Sequence, residues 1–391
     1  MSDPGTARRP LRVLHVIDSL CRGGAESMLA AMLHELARHA DVRSYVRAGH
    51  VDAADPELAS AVLRDAEQLV FLPSEHVYDP RFAVGLARAI GRHEIDVVHS
   101  HLAVASVNSR LAARALGRPH LTSIHTMPGS TLTDTRAWLL SDALTARLSR
   151  LQVAPAADVA EASARHYRLS LDRFRVIPNA PAAIPIRGAD RDSLRAELFG
   201  PQVTGPLVLC VARLVPGKGV DELLEATAVL APQIPDLHVA VAGAGPELEF
   251  LSASIAARGL QDRVQLLGHR ADVGRLLAAA DVFCLPSRHE AAPISLLEAM
   301  NAGCACVATA VGGVPEMLDH GGCGVLVAPG DPSALVGGLL RVLTDPVLAR
   351  TLGERARERV RDHYSIEAVT GRYVELYREL AGSRGGGFRR G

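Results

Sequence analysis

Lysine is almost absent from this chain. Of its 42 basic side chains, all but one are arginine, and the single ammonium group is Lys218, within "VARLVPGKGVDELLEA". Codon bias explains a general shortage but not the position of the exception. An excess of one charge sign is also missing. The 42 basic and 43 acidic residues leave a net charge of −1, which argues against nucleic acid as a partner, since such proteins carry a basic excess or stripe. No apolar run approaches the roughly 18 residues a membrane-spanning helix needs. The short apolar stretch after Arg8 and Arg9 runs into "DSLCRGGAE" with no small-residue cleavage pattern, so it reads as a first strand and not as a secretion signal. The six cysteines (Cys21, Cys210, Cys284, Cys304, Cys306, Cys323) lie mostly in apolar runs without zinc-type spacing. Reduced thiols in a cytoplasmic protein are expected, not a disulfide framework.

The 391 residues, 48% apolar and 22% charged, exceed what one hydrophobic core usually fills, so two domains are expected. Strand-like runs alternate with helical segments. "LRVLHVI" precedes "AESMLAAMLHELARH", "IDVVHSH" precedes "AVASVNSRLAARALG", and "HLTSIHT" precedes a helical segment from about Asp134. "LQVAPAA" and "RFRVIPN" close this half. After the proline-rich "PNAPAAIPIRGADRD" the alternation restarts with "PLVLCVA", "LHVAVAG", "VQLLG", "DVFCLP", "CACVATA" and "GVLVAPG". This pattern implies an α/β protein of βαβ units, with parallel sheets covered on both faces. The expected division is a Rossmann-like domain over 1–182 and a second over 183–360. A helix over 361–382 is expected to return to the first domain, followed by a disordered tail at 383–391. The apolar positions 140, 144, 148 and 151 in "TRAWLLSDALTARLSRL" suit a core-facing helix better than a membrane-docking one.

Two motifs carry chemistry. In the first, Arg213 lies just past a strand's carboxyl end, and Lys218 lies five residues on in a glycine turn before a helix. Such a guanidinium and ammonium neutralise a diphosphate, aided by the helix N-terminus. A solvated loop lysine is the plain alternative. The segment is not a Walker A loop, because G-x-x-x-x-G-K-[ST] is missing. In the second, "SRHEAAPISLLEAMNAG" places Glu290 in a loop and Glu298 about one turn into a helix, with Pro293 expected at the first helical position. The backbone N–H groups of Ala292, Ile294 and Ser295 then point at a bound anion, flanked by two carboxylates. A helix cap plus a surface glutamate is the plain reading here.

The order "GGAE", "DVVHSH", "SIHT", "VIPN", "VARLVPGKG", "AGAGPE", "ADVFCLPS", "EAAPISLLE" and "EAMNAG…VATAVGGVPE" resembles the retaining GT-B glycosyltransferases of family GT4, over about residues 11–320. The resemblance implies a GT-B fold, two doubly wound domains facing across a cleft, and a UDP- or GDP-linked sugar as co-substrate. It implies that Arg213 and Lys218 grip the diphosphate, that Glu290 accepts hydrogen bonds from the donor sugar, and that Glu298 accepts them from the ribose. The base is placed near His269 and Arg270, Gly23 and Gly24 allow close backbone approach to the diphosphate, and His125 faces the sugar. Glu290, His125, Arg213 and Lys218 are the implied catalytic set. Retention is attributed to attack on the leaving-group face, with the diphosphate taking the acceptor's proton. No DxD-type site is present, so no metal or other cofactor is expected.

The acceptor implied is a carbohydrate, a lipid-linked sugar or a small metabolite, with peripheral membrane contact open at an inner membrane face. Pro293 stands where many members have glycine, and "IPNAPAA" replaces the commoner "PNGVD". A GT-B-fold nucleotide-sugar epimerase and a non-catalytic sugar-nucleotide-binding protein are the alternatives. A dehydrogenase is disfavoured, because "AGAGPE" lacks the third glycine of a dinucleotide fingerprint.

Overall fold

The structure, a computed structural model, describes residues 9–21, 23–50, 54–72, 79–127, 136–181 and 191–382. Most of the proline-rich linker and the expected disordered tail at 383–391 lie outside the described residues. The chain forms two compact units. One comprises residues 1–179 and 366–391, and the other 180–365. The exchange between units therefore comes at 179/180 and 365/366, a few residues from the expected 182/183 and 360/361. The helix Pro346–His363 belongs to the second unit, where Leu352, Ala356 and Val360 are buried.

The first unit has seven strands: β1 (Leu11–Ser19), β2 (Val42–His50), β3 (Gln68–Phe71), β4 (Val97–His101), β5 (His120–Ser123), β6 (Leu151–Ala154) and β7 (Phe174–Val176). All are parallel, in the order β3-β2-β1-β4-β5-β6-β7. Val13, Leu14, Val16 and Ile17 of β1 are fully buried, because helices cover both faces of such a sheet. The helix Gly24–Leu36 buries Met28, Leu29, Met32, Leu33 and Leu36, the i, i+3, i+4 stripe of an amphipathic helix. The helix Ile366–Gly382 packs on this same unit, against β1 and the helix Gly24–Leu36, through Val369, Tyr373, Val374, Tyr377 and Leu380.

β2 and β3 were not expected. β2 is interrupted by Arg43 and Arg47, and Arg47 is buried, its guanidinium donating to the Val46 carbonyl (2.8 Å) and to Gln68 Oε1 on β3 (2.8 Å). A strand with a buried, hydrogen-bonded guanidinium does not show the apolar run by which a covered strand is recognised.

The second unit has six parallel strands: β8 (Leu207–Val211), β9 (His238–Ala242), β10 (Val264–Leu266), β11 (Val282–Leu285), β12 (Ala305–Thr309) and β13 (Val325–Val327). Their order is β10-β9-β8-β11-β12-β13. Both sheets thus reverse strand order once, between β1 and β4 and between β8 and β11. The ligand crevice of a doubly wound sheet opens at this reversal, beyond the carboxyl ends of the strands.

The helix Arg136–Ala146 corrects one expectation. Leu140 and Leu144 are 61% and 62% exposed, and the helix turns Asp142 and Ala146 inward instead. Asp142 accepts from Arg110 Nη1 (2.6 Å) and from the Tyr167 hydroxyl (2.6 Å), and Arg110 is only 1% exposed. This buried pair, not the leucines, sets the rotation of the helix. All six cysteines are unpaired, and all but the half-buried Cys21 are buried. Burial pushes the Cys210 thiol up to about 12.

Candidate functional site

The sequence motifs of the second unit meet at its strand reversal. β8 ends at Val211 and leads into Arg213 and Lys218, while β11 ends at Leu285 and leads into Ser287 and Glu290. The two loops are locked together. The Gly217 carbonyl accepts from the Arg288 N–H (2.8 Å). Gly219 has φ +65°, and a Cβ there would stand 2.0 Å from the Pro286 carbonyl oxygen, so only glycine fits. Arg288 bridges the loop to the start of the helix Val220–Leu230 through Glu222 (2.6 Å) and Asp221 (2.8 Å). From the far side, the Gly313 N–H donates to the Ala291 carbonyl (2.7 Å), and a Cβ on Gly312 would lie 2.0 Å from the Glu290 carbonyl oxygen.

This bracing brings Lys218 Nζ to 2.6 Å from Glu290 Oε1, with side-chain exposures of 20% and 9%. The Ser287 hydroxyl donates to the same oxygen (2.7 Å). The lone ammonium is therefore not a solvated loop charge. Breaking a buried pair costs about 3–5 kcal/mol, because the survivor is left uncompensated, and the exposure of Lys218 puts this pair toward the lower end. An ammonium has three donors, so pairing with Glu290 orients Lys218 and leaves two. Glu290 Oε2 and the exposed Arg213 guanidinium have no hydrogen-bond partner among the described residues. Ser287 and Arg288 were missed in the sequence, where only their adjacency to Glu290 in "PSRHE" marks them.

The helix Ile294–Ala302 starts one residue later than expected. Pro293 has φ −69° and ψ 122°, which makes it the N-cap and not the first helical residue. Its carbonyl accepts from the Leu296 N–H (3.2 Å). The N–H groups of Ile294 and Ser295, in the first turn, have no carbonyl four residues back within the helix, while Ala292 is already engaged in an interaction of its own. Glu298, one turn in, has no charged or hydrogen-bonding partner among the described residues, and burial pushes its carboxyl up to about 7. His269 is exposed, and Arg270 is held by Asp272 (2.7 Å) and Glu197 (3.7 Å). Gly243 and Gly245 of "AGAGPE" are explained by packing. Cβ atoms there would lie 1.8 and 2.1 Å from the carbonyl oxygens of Ala212 and Leu214. The larger described cavity, about 430 Å³, lies among Pro206, Val282 and Ala305 at the amino ends of the strands, away from this chemistry.

The strand reversal of the first unit carries the other motif residues. Gly23 is the N-cap of the helix Gly24–Leu36 with an ordinary extended φ of −149°. A Cβ there would stand 2.4 Å from Glu26 Oε2, so the glycine makes room for the buried Glu26. Asp18, at the end of β1, accepts from the N–H groups of Val104 and Ala105 (3.3 and 2.6 Å) at the start of the helix Ala103–Ala115. Leu102 turns the chain into that helix with φ +66° and ψ −177°, a region essentially reserved for glycine.

His125 Nε2 lies 3.2 Å from His101 Nδ1, and His101 belongs to a buried cluster with His15 and His99. Burial pushes His15 down to about 3 and His125 to about 4, and holds His99 and His101 well below the usual imidazole range. His15 Nδ1, His15 Nε2 and His101 Nε2 have no hydrogen-bond partner among the described residues. Such buried polar atoms cost about 1–3 kcal/mol each.

Comparison with known proteins matches both units. A family model described as Glycosyltransferase Family 4 matches residues 22–180, and one described as Glycosyl transferases group 1 matches 195–359. The N-acetyl-alpha-D-glucosaminyl L-malate synthase of Bacillus anthracis is 27% identical over 311 residues, covering 78% of this chain and 80% of that protein. The GDP-mannose-dependent alpha-(1-6)-phosphatidylinositol monomannoside mannosyltransferase of Mycolicibacterium smegmatis is 28% identical, covering 93% of this chain and 96% of that protein. Among solved structures, Anabaena Alr3699/HepE in complex with UDP-glucose superposes with a TM-score of 0.82 at 22% identity, over 94% of this chain and 100% of that one. With its two sheets in doubly wound order and each unit matched by a glycosyltransferase family, the chain belongs to the GT4-type glycosyltransferases of the GT-B fold.

Proposed function

We propose that this glycosyltransferase moves a sugar, with retention at the anomeric carbon, from a UDP- or GDP-linked donor to an acceptor hydroxyl in bacterial polysaccharide, glycolipid or glycosylated-metabolite synthesis. The observation that carries the reading is the Lys218–Glu290 pair at the β8/β11 reversal. Lys218, oriented by Glu290, keeps two donors for phosphate oxygens, and the unpartnered Arg213 guanidinium adds a planar fork. The first-turn amides of Ile294 and Ser295 supply positive potential to the same anion. Glu290 Oε2 accepts from a sugar hydroxyl while Oε1 stays with Lys218 and Ser287. Glu298 accepts from the ribose, and backbone near His269 and Arg270 meets the base. For the first unit, the reading assigns Gly23 and Gly24 to the diphosphate and His125 to the sugar. The names of the mannosyltransferase and of the UDP-glucose complex support a nucleotide-sugar donor.

In the reaction, the bond from the anomeric carbon to the diphosphate oxygen breaks as the bond to the acceptor oxygen forms on the same face. The acceptor's proton passes to the departing diphosphate. Arg213, Lys218 and the helix amides stabilise the charge growing on that leaving group, and Glu290 positions the sugar without forming a covalent bond. No step calls on a metal or other cofactor. We assign the reaction to the cytoplasm, and the exposed Leu140 and Leu144 support peripheral contact at the inner membrane face.

The test is incubation with a panel of UDP- and GDP-sugars, following binding, slow hydrolysis and products. One donor is expected to be bound and slowly hydrolysed, and Lys218→Met is expected to lower turnover by about 100-fold or more, the scale of losing one preorganised charge donor. An epimerised sugar from donor alone, or a Lys218→Met variant nearly as active as the parent, refutes the reading.

A further inference from the structure

The buried histidines His15, His99 and His101 are not used by the chemistry above. In parallel β1 and β4, His15 stands opposite His99, and His101 follows two residues on, so all three project from one face of the sheet. Ser123 of β5 stands opposite His101 on the same face. The helix Ile366–Gly382 covers them. Its Tyr377 hydroxyl lies 2.7 Å from His99 Nδ1, and its Tyr373 hydroxyl lies 3.0 Å from Ser123 Oγ. One ring nitrogen from each histidine falls within 4.8 Å of the others, and the three unpartnered nitrogens belong to His15 and His101.

We propose that His15, His99 and His101 form a buried binding site for a divalent transition-metal ion of the zinc class. A tetrahedral zinc ion with bonds of about 2.0–2.1 Å holds its nitrogens roughly 3.4 Å apart, so a small closing movement of the rings completes the set. A ligand set of imidazoles without carboxylates selects zinc, cobalt, nickel or copper over magnesium or calcium. His101 binds through Nε2, since its Nδ1 faces His125. His15 has either nitrogen available. His99 gives up one of its two hydroxyl hydrogen bonds, to Tyr377 or to Ser123 (2.8 Å), and the remaining hydroxyl fixes its tautomer. The Tyr377 hydroxyl, against His99 on the covering helix, is a candidate for the fourth position.

The ion would tie β1 and β4 to the helix Ile366–Gly382. It also sets a proton. With the metal on Nε2, His101 carries its hydrogen on Nδ1 and donates to His125 Nε2 (3.2 Å), which leaves the proton of neutral His125 on Nδ1. The consequence for transfer rests on the role assigned to His125 above, but the metal site does not.

The experiment uses the untagged full chain, stripped with chelator and titrated with Zn²⁺ or Co²⁺. The expected result is one ion retained per chain after gel filtration, with the visible d–d absorption of four-coordinate Co²⁺. His15→Gln is expected to lose the ion, and Tyr377→Phe to bind it about 10–100-fold more weakly. No retained ion, or retention unchanged in a folded His15→Gln variant, overturns the proposal. If that variant does not fold, anomalous diffraction from the parent with Co²⁺ decides, and an ion located anywhere but this cluster overturns it. Metal content is measured without donor or acceptor, so failure here leaves the transferase reading standing, and failure of the donor panel leaves this site standing.

Discussion

Glu298 offers a quantitative test of the nucleotide site, because one group links stability, pH and ligand. Its carboxyl is raised from 4.5 to about 7 by burial. Between these values the unfolded chain has released the proton while the folded chain still holds it, so folding binds more protons and stability falls as pH rises. Each pH unit separating the folded and unfolded titrations contributes roughly 1.4 kcal/mol, which gives about 3 kcal/mol, reached in full above pH 7 and absent below about pH 4.5. Glu298→Gln removes this penalty. The variant is expected to match the parent near pH 4.5 and to exceed it by about 3 kcal/mol at pH 8, a rise in Tm of about 6–12 °C for a unit of this size, read by calorimetry. Ribose hydroxyls donating to the carboxylate favour its charged form, so nucleotide affinity should move the opposite way. Only about a tenth of the apo protein is ionised at Glu298 at pH 6 and about nine-tenths at pH 8, so binding tightens roughly tenfold across that interval and releases a proton at the acid end. Titration calorimetry in buffers of different ionisation enthalpy reads both quantities. Glu298→Gln supplies the baseline, because the ligand's own phosphate titration is unchanged in it. A stability difference between the two proteins that does not vary from pH 5 to 8 would refute the burial argument. A normal stability profile with pH-independent binding would refute the ribose contact alone.

Two further predictions concern the first unit. Arg110→Ala should destabilise it by about 3–5 kcal/mol, because Asp142 then keeps only Tyr167. Arg110→Met with Asp142→Leu should recover much of the loss. Denaturant unfolding followed by far-UV circular dichroism reads the loss, and additive effects of the two substitutions would argue against the pair. Leu140→Ser with Leu144→Ser should leave stability within about 0.5 kcal/mol, as exposed positions do, while lowering co-sedimentation with anionic vesicles. Unchanged vesicle binding would remove this face as a membrane contact.

Much of the site was legible because backbone geometry announces itself in residue type. Lys218 sits between glycines since one of them must pass within contact of Pro286, and Glu290 precedes a proline that caps a helix. These are local constraints, and local constraints leave marks in sequence. Less was legible where a side chain's role depends on a partner far along the chain. Arg47 concealed β2 because its buried charge is satisfied by Gln68 on the neighbouring strand. Leu140 and Leu144 have core-facing spacing, but Arg110, 32 residues from Asp142, claims that residue for the interior. Ser287 and Arg288 showed no signal of their own.

The amino-acid order alone determined the alternation of strands and helices, the parallel sheets that follow from it, and the two loops that bear Lys218 and Glu290, since each rests on periodicity or turn chemistry within a short window. Only the tertiary structure decided that Lys218 pairs with Glu290, that packing raises the Glu298 carboxyl, and that His15, His99 and His101 share one buried face under Tyr377. The physical reason is common to all three. Desolvation and charge pairing depend on which groups the packing brings within a few ångströms, and strand order joins β1 to β4 and β8 to β11 across long stretches of intervening chain.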